Sequence, residues 1–501
     1  MRQHRGISMN RLKKMTCKHN KTSWVGFLII STIIYGNIYS YEISLFKEID
    51  FFADKYMFGY ARYSLSDFSN NPAFLKNDYR KDINRVHFGI GKELNPHHRY
   101  YDPRENEKTS LEMQWIKHLD EKSALMSNIQ YHYNLQIDVE RSLEKNFYTH
   151  YFSFSDTTKG DLTYHGPKLK ALYNRYINNN ILVGIDLNYG VERGMKDKYT
   201  ECETIIRSLS ISTGLGYISD DYKMKYGVSA TYFNRESKYE SVKYYIEAFN
   251  RLWFGYHMYM NESPMSKIRK FDNREGYEIS LQIEKQDFLI SGFGYRLVGS
   301  FGEHNNEIET GSSSNLGQQG YWQRSAWQLL GNLFYNYEFV NTQFYIVYYN
   351  YEDWAKPQDY SVLNIENIES RIKTGGKVDF SIMNGLKLTC GLEFSSTDVD
   401  YNEFATKFVY QEINNSMNSM LGVDYRINQI SNIYLSGNYG FTETDFHWED
   451  TGQLNIMGGT IGYSRQFLFG RIDACLNYSL ITQDVNNKKN EQFGIKLFIN
   501  R

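Results

Sequence analysis

The chain is short of the residues that mark several common kinds of protein. It has 6 prolines and 4 cysteines in 501 residues. Cys17 sits near the N-terminus, before an apolar run rather than after one, so it is not placed for lipid acylation. Cys202, Cys390 and Cys475 are an odd, widely spaced set from which neither a disulfide framework nor a zinc site can be built. No run of about 18 apolar residues exists, and mean hydropathy is −0.58, which excludes a bundle of membrane-spanning helices. Catalytic signatures are missing too: there is no His-Glu-x-x-His, no glycine-rich phosphate loop ending in Lys-Ser/Thr and no Gly-x-Ser-x-Gly elbow. Nor is there a basic excess. Lys and Arg total 56 against 58 Asp and Glu, which argues against a nucleic-acid partner.

What is abundant is tyrosine. The 44 Tyr lift the aromatic content to 16%, a usage that favours strands and suits a boundary between lipid and water. The first 40 residues are of another kind. They carry seven basic side chains (Arg2, Arg5, Arg11, Lys13, Lys14, Lys18, Lys21) and no acid, followed by an apolar run at 24–35. A basic head, a short apolar stretch and a cut after Ser40 describe a secretory signal peptide over 1–40. A short membrane anchor is the alternative. Without that segment the chain carries 49 basic and 58 acidic groups, a net charge of −9.

Alternation decides the fold class. In a bilayer all backbone polar groups need internal partners, so strands must close into a barrel with apolar side chains out and polar or small ones in. Ile181, Val183, Ile185, Leu187 and Tyr189 alternate with Gly184, Asp186 and Asn188. Met224, Tyr226, Val228, Ala230 and Tyr232 do so with Lys223, Lys225, Ser229 and Thr231. The same period recurs with Ile433, Leu435, Tyr439 and Phe441, and again with Ile472, Ala474, Leu476, Tyr478 and Leu480. Short turns are expected at 120–122, 178–180, 219–221, 285–287, 340–341, 384–385, 428–430 and 467–469, with long polar connections at 192–204, 237–275, 302–323 and 354–369. Short on one side and long on the other is the loop asymmetry of outer-membrane barrels. The expectation is an all-β chain, a transmembrane antiparallel β-barrel of about 18 strands (14 to 18) over residues 84–501. Residues 41–83 read as a periplasmic lead or a plug. The aromatic segment 241–260 reads as a loop folding back on the barrel, with an extra hairpin as the competing account.

These features resemble outer-membrane barrel proteins of Bacteroidota. Asn71-Pro72-Ala73 also looks like the Asn-Pro-Ala box of fatty-acid-transport barrels, where it belongs to an N-terminal hatch. That resemblance implies passage of hydrophobic molecules. The ending departs from the usual pattern, since Phe498 lies three residues before the terminal Arg501.

Expected lumen-lining residues are Asp186, Lys223, Lys225, Lys377, Asp379, Lys387, Glu393, Asp424, Arg426, Arg471 and Asp473. They read either as ion pairs bracing the barrel or as a channel lining that tunes selectivity. Cys475 shares the lumen face, whereas Cys390 falls on the lipid face. His97–His98 and the acidic set Glu303, His304, Glu307 and Glu309, placed in a long loop, are weak cation candidates. The function expected is a passive, porin-like channel for small or amphipathic molecules in a bacterial outer membrane. The alternative is a non-transporting barrel that anchors or helps assemble surface or secretion machinery. A hydrolase is the least supported reading, and no enzyme activity or cofactor is expected. The partners expected are outer-membrane lipid, the barrel-insertion machinery and a small-molecule solute.

Overall fold

The computed structural model describes residues 71–75 and then, from 82 to 500, all but 141–143, 242–249, 263–267, 359–363, 445–451, 484–488 and single or paired positions in other connections. The signal segment 1–40 and most of 41–83 lie outside the described residues.

Eighteen strands form one antiparallel sheet. Its first strand, Ile83–Leu94, pairs on one side with Glu105–His118 and on the other with the last, Lys489–Asn500. The sheet thus closes on itself as a barrel, leaving no unpaired edge. Side chains alternate as the sequence requires: on Ile181–Lys196 the outward Ile185, Leu187 and Tyr189 are 47, 43 and 42% exposed, while Asp186 between them is 6% exposed. Short connections join the strands at one end, spanning 119–122, 177–180, 219–223, 286–292, 338–339, 384–385, 429–430 and 468–469. Gly385 has φ +101°, a left-handed turn conformation that favours glycine. The first and last strands both have their free ends at this side, because Ile83 faces Ile116 and Arg85 faces Asn500.

The opposite end differs from the expectation. Residues 302–323 are not a loop: Phe293–Ser312 and Asn315–Tyr337 stay paired out to Ser312 and Asn315. Glu303, His304, Glu307 and Glu309 therefore stand on a strand. The connection expected at 192–204 shrinks to 197–201, between Ile181–Lys196 and Cys202–Ile218, and that at 354–369 shrinks to 358–364. The turn expected at 340–341 falls at 338–339, because Val340 already pairs with Tyr337. In each case the strands continue past the apolar band, and with both faces polar there the alternation that marks a strand disappears from the sequence.

Two connections are long, 141–158 and 242–267, and they meet. Phe154–Asp156, Asn250–Trp253 and Tyr259–Glu262 form a separate three-stranded sheet. The aromatic segment thus does contain a hairpin, but it adds no strand to the barrel.

Candidate channel lumen

Of the eleven expected lining residues, ten lie on wall strands and Lys223 does not. Lys223 belongs to a turn, half-exposed and 3.4 Å from Asp287. The rest fall into separate clusters rather than one site. Asp186 pairs with Lys170 at 3.2 Å. Lys225 pairs at 2.7 Å with Glu284, which also binds Arg296. Asp379 sits between Lys377 (3.4 Å) and Lys387 (2.9 Å) and accepts a hydrogen bond from Thr389. Glu393 pairs with Lys373 at 3.0 Å and accepts from the Tyr345 hydroxyl. Arg471 meets Asp473 at 2.7 Å. Asp424 is half-buried and Arg426 exposed near the turn end. Cys475 is buried and Cys390 half-buried. Charges on an inward face pair locally because an unpaired one carries a desolvation penalty.

At the long-loop end the barrel mouth is packed like a protein core. Tyr151, Phe152, Phe154, Leu252 and Phe254 from the two connections are buried against the inward side chains Tyr239, Ile308, Trp322, Ala355, Ile365 and Tyr401. Ion pairs fasten this cluster to the wall. Lys196, on the wall, donates to the Asp156 carboxylate at 2.7 and 2.9 Å, with both side chains fully buried. Lys270 reaches Glu144 at 2.6 Å and the Phe152 carbonyl at 2.5 Å. Burial pushes the Glu144 carboxyl above its ordinary value, and the Lys270 ammonium pulls the other way. Tyr151 donates to Asp353 at 2.5 Å, and Arg324 holds the same carboxylate through two hydrogen bonds of 2.6 and 2.7 Å. From the neighbouring wall, Glu192 binds Lys145 at 2.6 Å and His132 at 3.1 Å.

At the short-turn end residues 71–75 lie against the inner wall. A short 3-10 turn, Pro72–Phe74, is capped by Asn71, whose carboxamide oxygen accepts from the Ala73 N–H at 2.9 Å. The Asn71 amide donates to Gln282 at 2.6 Å and to the Val228 carbonyl at 3.2 Å, and Asn174 donates to the Ala73 carbonyl at 2.8 Å. The floor of this seat is glycine. A Cβ at Gly184 would overlap the Pro72 backbone, and one at Gly214 or Gly227 would overlap the Asn71 carboxamide. Phe74 then packs on Leu182 and Ile218. Between the two closures the inward Ser208 and Glu278 are exposed.

The glycine seat and the ion pairs on Glu144 and Asp156 were not anticipated. The trace of the seat in the sequence is that inward positions of three successive strands carry glycine: Gly184 faces Gly214, and Gly227 faces Gly216 one inward step away. Among the described residues no cluster of His, Cys, Asp and Glu could hold a metal, and His97 lies outside them.

No family model and no curated protein matches the chain, so the Bacteroidota likeness rests on sequence alone. Solved structures do resemble it. The copper transporter OprC has a TM-score of 0.50 at 10% identity, over 82% of this chain and 64% of its own. BauA, the ferric preacinetobactin receptor of Acinetobacter baumannii, has a TM-score of 0.44 at 7% identity, over 83% and 80%. The toluene transporter TodX of P. putida has 0.31 at 8% identity, over 87% and 94%. At such identities the likeness concerns the fold: the chain is a closed, 18-stranded antiparallel barrel of the kind found among outer-membrane proteins.

Proposed function

We propose that the protein is a passive channel of a bacterial outer membrane, passing small or amphipathic molecules and narrowed at both ends by its own residues. The observation that carries this reading is the inward exposure of Ser208 and Glu278 between the two closures, where a solid barrel would bury them. The outward apolar residues would meet lipid, after insertion by the barrel-assembly machinery. The seated segment at 71–75 would close the periplasmic mouth, and the connections at 141–158 and 242–267 would constrict the outer one. Transport proteins among its structural likenesses agree with this in kind.

The fully buried Lys196–Asp156 pair favours a second reading, a permanently filled barrel that anchors or assembles other surface components. Single-channel conductance of the refolded, signal-free chain in a planar bilayer separates the two. Stable openings support the channel. A silent bilayer, with folding shown by heat-modifiable gel mobility, supports the filled barrel. Membrane placement is checked by Leu187→Arg, which puts a charge on the lipid face midway along its strand, at a cost of about 2–4 kcal/mol near mid-bilayer. It should insert poorly, and insertion equal to wild type would invert the assignment of faces.

A further inference from the structure

One row of the inner wall is out of balance. Arg235, Arg274, Asn306 and Trp322 are direct partners across four adjacent strands, so their side chains share the inward face. Arg235 and Arg274 stand directly opposite each other. Like charges in that position repel, and natural sheets avoid them unless something lies between. Neither arginine forms an ion pair with a described carboxylate. The nearby Asp353 is taken by Arg324 and Tyr151. Asp272, on the same face of the strand, attracts Arg274 but forms no ion pair with it.

The row also holds three donors and one acceptor with nothing to bind. The Nε of Arg274, the indole N–H of Trp322 and both polar atoms of the Asn306 carboxamide are buried without a partner. Asn306 and Trp322 are each 1% exposed. Leaving one such group unsatisfied costs about 1–3 kcal/mol, so several in one place call for an occupant. The surroundings hold the row in shape. Arg274 stacks on the Trp322 ring at 4.8 Å and lies 3.4 Å from His304 Nδ1, while Arg324 covers the Tyr351 ring at 4.1 Å.

We propose that this row is an oxyanion site, where the guanidinium groups of Arg235 and Arg274, with the Asn306 amide and Trp322 indole, take the carboxylate or phosphate group of a solute entering the lumen. Two facing guanidinium groups suit an oxyanion because each can give paired N–H donors to its oxygens. The location, level with Trp322 of the aromatic closure and above the exposed Glu278, would put it at the upper end of the lumen. Its place in transport rests on the channel reading, whereas the binding itself does not.

The test is equilibrium dialysis of labelled inorganic phosphate against the refolded full chain in detergent. Saturable binding is expected, weakened about ten-fold or more in Arg274→Gln and in Arg235→Gln, and unchanged in Lys285→Gln at the turn end. Asn306→Leu should weaken it as well. Heat-modifiable mobility identifies any variant that fails to fold, and the two arginine variants are independent of each other. No saturable binding by wild type, or wild-type affinity in both folded arginine variants, overturns the site. Phosphate binding with a silent bilayer leaves the site standing and removes the channel reading, while conductance without binding does the reverse.

Discussion

The two ends of the lumen are closed by different physics. The long-loop end is closed as a core is: aromatic side chains from two connections lie against an inward wall, and buried ion pairs such as Lys196–Asp156 pin them. The short-turn end is closed by residues 71–75, which rest on glycines and are held through Asn71, Asn174 and a few backbone carbonyls. The first closure engages two long connections and would be lost by their cooperative unfolding. The second is one short segment, whose Phe74 and Leu75 are buried on Leu182, Ile218 and Ile116, and its release would need only a local rearrangement. On that contrast the moving part of the barrel is expected at the short-turn end.

The largest effect is expected from Lys196→Ala, which leaves the buried Asp156 carboxylate without the Lys196 ammonium. Breaking such a pair typically costs about 3–5 kcal/mol. The variant should melt earlier and become sensitive to protease within 141–158, as limited proteolysis followed by mass spectrometry would show. Unchanged resistance would mean that the aromatic cluster alone holds this end, and that the ion pairs are incidental to it.

Next comes Gly214→Val, which puts a branched side chain where the Asn71 carboxamide lies. Overpacking of this kind costs about 1–3 kcal/mol, but here the light element can leave. The barrel should keep its heat-modifiable mobility while conductance rises above wild type. A barrel that fails to fold would show the seat to be as firm as the loop end, and the contrast would disappear. Asn71→Ala is a gentler form of the same experiment. It removes the bond to Gln282 and the cap on Ala73, worth about 1–3 kcal/mol when an acceptor is left buried. It should give intermittent openings rather than a lasting rise.

How far the sequence reveals this contrast depends on how local each feature is. The barrel is legible because alternation is written within single strands, as at 181–189, where lipid and lumen impose opposite demands on neighbouring side chains. It fades at 302–323, where the pair of strands rises beyond the apolar band and both faces are polar. The closures are less legible still, because they join residues far apart in the chain: Asn71 to Gln282 and Tyr151 to Asp353 are each more than 200 positions apart. The Asn-Pro-Ala segment could be singled out from its residues, but not the glycines under it. Lys225, Glu284 and Arg296 show the same limit. Their alternation puts each on the inward face, yet only closure of the sheet reveals that one carboxylate serves both cations.

The smallest effect expected is that of Trp253→Phe in the loop closure. The Trp253 indole donates to Ser155 at 2.8 Å inside the three-stranded sheet, and its ring lies 5.5 Å from Phe147 and 5.8 Å from Tyr101. Phenylalanine keeps an aromatic ring in this cluster and removes only the donor, so the loss should be about 0.5–1.5 kcal/mol. Spread over a cluster this large, that should lower thermal stability slightly and leave both conductance and protease resistance at wild-type levels. The comparison with Asn71→Ala is one of degree, because Trp253→Phe removes one donor bond whereas Asn71→Ala removes the bonds to Gln282 and Val228 and the cap on Ala73. Openings at residue 71 with none at residue 253 would show that the loop closure absorbs the loss of a bond. Openings in Trp253→Phe equal to those in Asn71→Ala would instead make the loop end as light as the other, and would move the gate of this barrel to its outer mouth.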